Sequence, residues 1–141
     1  MKKNILFLSI FGIISACQVN VQKETDSPLI SKNQLTLSSD IMSPEVLWSF
    51  GRLGDVQVSP DGQKILYGVS YYSIEQNRSN RELFVMNVDG SEKTQLTKTP
   101  QNEFNAIWHP DGEQIVYISS ASGSLQAWVM NADGTGNEQI S

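Results

Sequence analysis

Short apolar runs separated by polar turns fill the C-terminal two thirds of this 141-residue chain. Four runs stand out: Ile65-Leu66-Tyr67-Gly68-Val69, Leu83-Phe84-Val85-Met86, Ile115-Val116-Tyr117-Ile118 and Ala127-Trp128-Val129-Met130. They are near-continuous rather than alternating, which predicts strands covered on both faces. Thr94-Gln95-Leu96-Thr97 and Glu138-Gln139-Ile140-Ser141 read as polar outer strands. Ahead of them, Ser43-Pro44-Glu45-Val46-Leu47-Trp48-Ser49-Phe50-Gly51 predicts one short helix. Ser43 can cap it, Pro44 suits its first position, Glu45 favours its positive end and Gly51 can close it. Leu47, Trp48, Phe50 and Leu53 are expected to offer an apolar face to a neighbour.

The runs belong to a repeat. Val56-Gln57-Val58-Ser59-Pro60-Asp61-Gly62-Gln63-Lys64-Ile65-Leu66-Tyr67 returns fifty residues on as Ala106-Ile107-Trp108-His109-Pro110-Asp111-Gly112-Glu113-Gln114-Ile115-Val116-Tyr117. Leu83-Phe84-Val85-Met86-Asn87-Val88-Asp89-Gly90 returns forty-four residues on as Ala127-Trp128-Val129-Met130-Asn131-Ala132-Asp133-Gly134. A period in the forties built from short strands and tight turns marks β-propeller blades, each a four-stranded meander. The expected class is all-β: two four-stranded blades of an incomplete propeller after one short helix. The helix is placed at 43–50, blade one at about 55–98 and blade two at about 104–141. Two blades cannot close a propeller, so the chain reads as the front end of something longer.

Turn chemistry supports the reading. In Pro60-Asp61-Gly62 and Pro110-Asp111-Gly112 the proline presets φ, the Asp side chain can take backbone amides beyond it, and the glycine takes positive φ. Asp89-Gly90 and Asp133-Gly134 are hairpin signals. The six-residue difference between the two periods falls between strands two and three. There Tyr71 to Asn80 is expected to form a long loop, against Ala121-Ser122-Gly123-Ser124 in the second copy.

The N-terminus reads as an export signal. Lys2 and Lys3 precede an apolar stretch from Ile5 to Ile14, too short to span a bilayer, which runs into Ile14-Ser15-Ala16-Cys17. That tetrapeptide resembles a bacterial lipobox, implying a signal peptide at 1–16 and lipid attachment at Cys17. A plain secretory peptide with a chance cysteine is the competing reading. Cys17 is the chain's one cysteine, and acylation would explain an exported thiol without a disulfide partner. Residues 17–40 are polar and read as a flexible tether, within which Leu35 and Leu37 hint at a short strand. Removing Lys2 and Lys3 leaves 8 basic and 15 acidic residues, a formal net charge of −7. No basic patch appears, which argues against nucleic acid as a partner.

Candidate chemistry is sparse. Asn87-x-Asp89-Gly90 and Asn131-x-Asp133-Gly134 superficially suggest calcium loops, but with the glycine sixth, valines occupy the first position and Leu96 or Ile140 the last. They are turns. His109, the single histidine, stands where Ser59 stands in the first repeat, at the opening of a turn. No Gly-x-Ser-x-Gly elbow occurs, so catalytic, metal and cofactor sites are all expected to be none in this chain. Glu75, Glu82 and Arg81 read most simply as solvated surface, and Tyr71 and Tyr72 with Glu75 as a candidate binding face.

Ser-Pro-Asp-Gly, then Leu-Phe-Val-Met-Asn-Val-Asp-Gly, then Gln-Leu-Thr resembles the TolB-type propeller repeat. That repeat occurs in periplasmic binding proteins and in the N-terminal domains of prolyl oligopeptidase-family serine peptidases. The lead-in Ser43-Pro44-Glu45-Val46-Leu47 and Gly51-Arg52-Leu53-Gly54-Asp55 resembles the helix-to-first-blade passage of those peptidases. The stretch from Arg81 to Gly134 is similar to bacterial dipeptidyl peptidases of the type-five subgroup. The resemblance implies a parent with a seven- or eight-bladed propeller followed by an α/β-hydrolase domain that carries the Ser-Asp-His triad beyond Ser141. In it the propeller would gate peptide substrates, and a lipid anchor would tie the protein to the bacterial envelope, facing the periplasm and leaning to the outer membrane. None of the family's catalytic residues maps onto a position here. The alternative is a TolB-like binding or scaffold lipoprotein. A short lipoprotein that completes its propeller by oligomerising is a third reading.

Overall fold

The computed structural model describes residues 29–32, 37 and 40–141. The signal peptide at 1–16, Cys17 and nearly all of the tether, Leu35 included, lie outside the described residues.

Helix α1 spans Pro44–Ser49. Ser43 caps it: its Oγ accepts from the Val46 amide at 3.4 Å and donates to the Glu45 carboxylate at 2.7 Å. That bond holds the Glu45 carboxyl below the usual carboxylate range. The helix ends differently from the expectation. Its C-cap is Phe50 in extended backbone, so no left-handed glycine closes it. Gly51 serves close packing instead, since a Cβ there would lie 2.7 Å from Val69 and from Tyr71. The anticipated apolar face is also not buried: Leu47, Trp48, Phe50 and Leu53 are all exposed. Six residues cover too little surface to seat a helix against a sheet (α1 touches β2 at one end).

Eight strands follow: β1 Arg52–Val58, β2 Lys64–Ser73, β3 Arg78–Asn87, β4 Thr94–Gln95, β5 Glu103–Trp108, β6 Gln114–Ser119, β7 Gln126–Asn131 and β8 Glu138–Gln139. They form two antiparallel meanders, β1-β2-β3-β4 and β5-β6-β7-β8, joined by the connector 96–102. The fold is all-β, a partial propeller of two stacked blades. Both outer strands are only two residues long. Beyond each, the amide of the fourth-strand neighbour still pairs, Leu96 with the Leu83 carbonyl and Ile140 with the Ala127 carbonyl, both at 2.8 Å.

The supposed loop Tyr71–Asn80 is mostly ladder. Tyr71 pairs with Asn80, Tyr72 with Ser79 and Ser73 with Arg78, leaving 74–77 as the hairpin tip. The Asn-x-Asp-Gly turns are three-residue loops rather than two-residue ones. The Asn87 amide reaches the Ser91 carbonyl at 2.9 Å and the Asn131 amide reaches Thr135 at 2.8 Å. Gly90 and Gly134 take φ of 83° and 87°, the left-handed position that this loop length demands. Asp89 accepts from the amide and hydroxyl of Ser91, and Asp133 does the same with Thr135. At the proline turns, Asp61 accepts from the Gln63 amide at 3.0 Å and Asp111 from the Glu113 amide at 2.8 Å, with Pro60 and Pro110 preceding them and Gly62 and Gly112 at positive φ. These bonds, and for Asp61 foremost the hydroxyl bond that Ser59 donates to it, hold the carboxyls of Asp61, Asp89, Asp111 and Asp133 below the usual carboxylate range.

The core lies between the blades. Leu66, Leu83, Val85 and Leu96 of the first meet Ala106, Trp108, Ile115, Tyr117 and Met130 of the second. Each fully buried aliphatic side chain contributes about 1.5–3 kcal/mol, more than any single turn. Strand burial corrects the expectation of cover on both faces. Leu66 is 0% exposed, but its repeat equivalent Val116 is half-buried; Ile115 is 0% exposed, but its equivalent Ile65 is half-buried. Each blade is covered on the face toward the other and open on the opposite one. The apolar runs are continuous because both faces are apolar, not because both are covered here.

Candidate functional site

Two features concentrate polar and aromatic chemistry. The first is a groove of about 430 Å³ beside the β2–β3 hairpin, lined by Trp48, Tyr72, Ile74, Asn77 and Arg78 among others. Trp48 meets Tyr72 edge to face, with ring centroids 5.3 Å apart. The Arg52 guanidinium lies 4.7 Å from the centroid of each ring. Such a cation over two π-faces locks the aromatic pair in place, a contribution of about 0.5–1 kcal/mol per contact at a site this open. The site can hold an apolar or aromatic side chain. It contains no group arranged as a nucleophile or general base.

The second is the junction between the blades. Asp55 and Asn105, fifty residues apart, both adopt left-handed backbone, with φ of 51° and 53°. Each sits at a register shift, between Gly54 and Gln57 in the first blade and between Phe104 and Ile107 in the second. Such bulges tolerate Asp and Asn because their short polar side chains relieve the left-handed conformation. Asp55 Oδ2 accepts from the Asn105 amide at 3.0 Å and pairs with Arg81 Nη2 at 2.8 Å. Gly54 and Gly68 leave room for that guanidinium, since a Cβ at Gly68 would stand 2.7 Å from Arg81 Nε.

Below the junction two carboxyls are buried together. Glu82 is 2% and Glu103 1% exposed, and Thr99 bridges them, its amide bonding Glu82 and its hydroxyl Glu103. Glu82 accepts from Thr97 Oγ1 at 2.7 Å, the Thr99 amide at 3.0 Å and Asn80 Nδ2 at 2.7 Å. Glu103 accepts on Oε1 from Thr99 Oγ1 at 2.8 Å and Ser119 Oγ at 3.0 Å. Burial raises the Glu82 carboxyl above its ordinary value despite these donors. Burial, with the adjacent Glu82 charge adding to it against the Thr99 bond, pushes Glu103 up to about 7. Burial and then the Glu103 charge push the Tyr117 phenol up to about 12.

Glu82 is therefore not solvated surface, the reading its polarity suggested. Its neighbours in sequence, Arg81 and Leu83, gave no sign of the connector that covers it. Arg81 is the ion-pair partner of Asp55 within the first blade, and Glu75 alone of that charged group is exposed. Of the candidate binding face, Tyr72 joins Trp48 and Arg52, whereas Tyr71 lies against Gly51. His109 stays at its turn, 2.8 Å from Asp111. Among the described residues no group of three or more His, Cys, Asp or Glu is arranged to hold a metal, and no helix is long and apolar enough to cross a membrane.

A scan against protein-family models finds no match. The chain is 41% identical over 91 residues to dipeptidyl-peptidase 5 of Porphyromonas gingivalis, and 35% identical over 107 residues to that of Porphyromonas endodontalis. The two sheets are a dipeptidyl-peptidase 5-like pair of propeller blades. The matches cover 64% and 76% of this chain but 13% and 16% of those relatives, so it spans a minor part of their length. In three dimensions, an acylaminoacyl peptidase from Pyrococcus horikoshii matches 67% of this chain with 14% of its own, at a TM-score of 0.57 and 15% identity. That likeness shows the fold. Among the described residues, neither the groove nor the junction brings together the parts of a hydrolytic site.

Proposed function

We propose that this chain is the N-terminal, non-catalytic propeller portion of an exported, lipid-anchored serine exopeptidase. Hydrolysis of dipeptidyl or oligopeptide substrates would fall to an α/β-hydrolase domain beyond Ser141. The blades would form part of a wall that admits peptides and excludes folded proteins, with the Trp48, Tyr72 and Arg52 groove as a surface for apolar side chains. Cys17 would carry the lipid, placing the protein in the bacterial envelope. The observation that carries this reading is the 41% identity to a dipeptidyl-peptidase 5 across 91 residues. The half-buried apolar outer faces of both blades support it, because a closed propeller would cover them with further blades.

The test is the mass of the native product in the source cell, by immunoblot against the Tyr71–Asn80 hairpin. A band several times heavier than this chain that takes a fluorophosphonate label is the expected result. A heavier band without the label would replace the peptidase with a TolB-like scaffold. A band at the size of the 125-residue form from Cys17 onward would overturn the fragment reading.

A further inference from the structure

The connector 96–102 crosses from the first blade to the second directly over the Glu82–Glu103 pair, and every donor around the pair is neutral and pre-aimed. Thr97 Oγ1 accepts the Leu83 amide at 2.9 Å, Thr99 Oγ1 the Gln101 amide at 3.1 Å, and Ser119 Oγ the Ala121 amide at 3.2 Å. With its acceptor side so occupied, each hydroxyl turns its proton to a carboxyl oxygen. Glu82 collects three donors on its two oxygens, an arrangement that suits a carboxylate. Both hydroxyls that reach Glu103 bind Oε1, which leaves the buried Oε2 with no protein donor. That oxygen is the place for a proton, given toward Glu82.

The charged and titratable groups facing the pair are few. From β3 there is Glu82 itself, from the start of β5 Glu103, and from β6 the Tyr117 phenol. Lys98 on the connector is exposed, and Arg81 is turned to Asp55. Among the described residues no cation pairs with either carboxylate.

We propose that Glu82 and Glu103 form a one-proton latch between the blades: a single shared proton keeps the connector closed over both sheets, and its loss opens the connector. Without the proton, two negative charges would share a dry site with no counter-ion, and the cheapest relief is to admit water by releasing Thr97 to Gln101. The direction follows from the pair's position. The folded chain keeps a proton that the unfolded chain has released, so closure is complete in mild acid and is lost as pH rises through about 7.

The test follows side-chain carboxyl ¹³C shifts and backbone amide exchange in the full chain between pH 4 and 9. One glutamate of the pair should titrate near 7. After correction for intrinsic exchange, protection of the Leu83, Thr99 and Gln101 amides should fall at least tenfold between pH 5 and 8, and should not change with pH in Glu103→Gln. Two carboxyls titrating near 4.5 would overturn the latch, and that reading needs no variant. So would an equal loss of protection in the wild type and in Glu103→Gln, or in Glu82→Gln should the first variant not fold.

Discussion

The carboxylate of Asp55 accepts the backbone amide of Asn105, the residue that occupies its own place in the next repeat. Two equivalent left-handed bulges thus meet directly, one supplying the acceptor and the other the donor. Arg81 holds the acceptor from the side. One blade recognises the next through this contact, with the apolar core beneath it.

Asp55→Ala should lower stability by about 1–2 kcal/mol, since it removes a charge-assisted bond at a partly exposed site and leaves Arg81 unpaired. Urea unfolding of the chain measures this.

Gly68→Ala should cost a similar amount by a different route. Its new Cβ would push Arg81 Nε, 2.7 Å away, off Asp55. In a double-mutant cycle the two losses should be clearly less than additive, because both break the same contact. Additive losses would mean that Arg81 does not position Asp55.

Glu103→Gln should change how stability depends on pH. In the wild type the Glu103 carboxyl is raised from 4.5 to about 7, so the folded state binds the extra proton in that window. Stability therefore falls as pH rises from about 4.5 to about 7, by up to roughly 3 kcal/mol, and is level above it. The glutamine variant should lack this fall. Urea midpoints at pH 5 and pH 8 make the comparison.

The outward row Ile107, Val116 and Val129 crosses three neighbouring strands of the second blade, with Ile107 well exposed. The chain on its own should self-associate through this face in sedimentation velocity. Ile107→Lys should reduce the association while shifting the thermal midpoint little, because Ile107 packs in no core.

Cys17→Ser should abolish acylation and move the protein from the detergent phase to the aqueous phase in a phase-partition assay of cells that express the full chain. Retention in the detergent phase would remove the lipid anchor from the proposed function.

Much of the architecture was legible in the residues, because the signals were local. Pro60-Asp61-Gly62 and Asn87-Val88-Asp89-Gly90 specify turns through bonds that span two to four residues. Their return at a fixed spacing then marks two blades. The pattern also hid a second layer of the repeat: Thr97 and Ser141, equivalent positions, each offer a hydroxyl to a backbone amide, of Leu83 and Ala127 respectively, where the short fourth strand has run out. The Asx residues within each inner strand, Asp55 in β1 and Asn105 in β5, were a readable sign of the bulges.

Apart from the β2–β3 hairpin, read as a loop, the sequence alone determined where the strands and turns lie and the resemblance to peptidase propellers, since these rest on φ preferences and on periodicity within one blade. Only the tertiary structure decided which face of each strand is covered, because Leu66 and Val116 are chemically alike and differ in whether a neighbouring blade stands against them. It also turned Glu82 from apparent surface into half of a buried pair. Its burial is made by Thr97, Thr99 and Glu103, fifteen to twenty-one residues away, and no local pattern encodes what the chain lays over a residue after turning into the next blade.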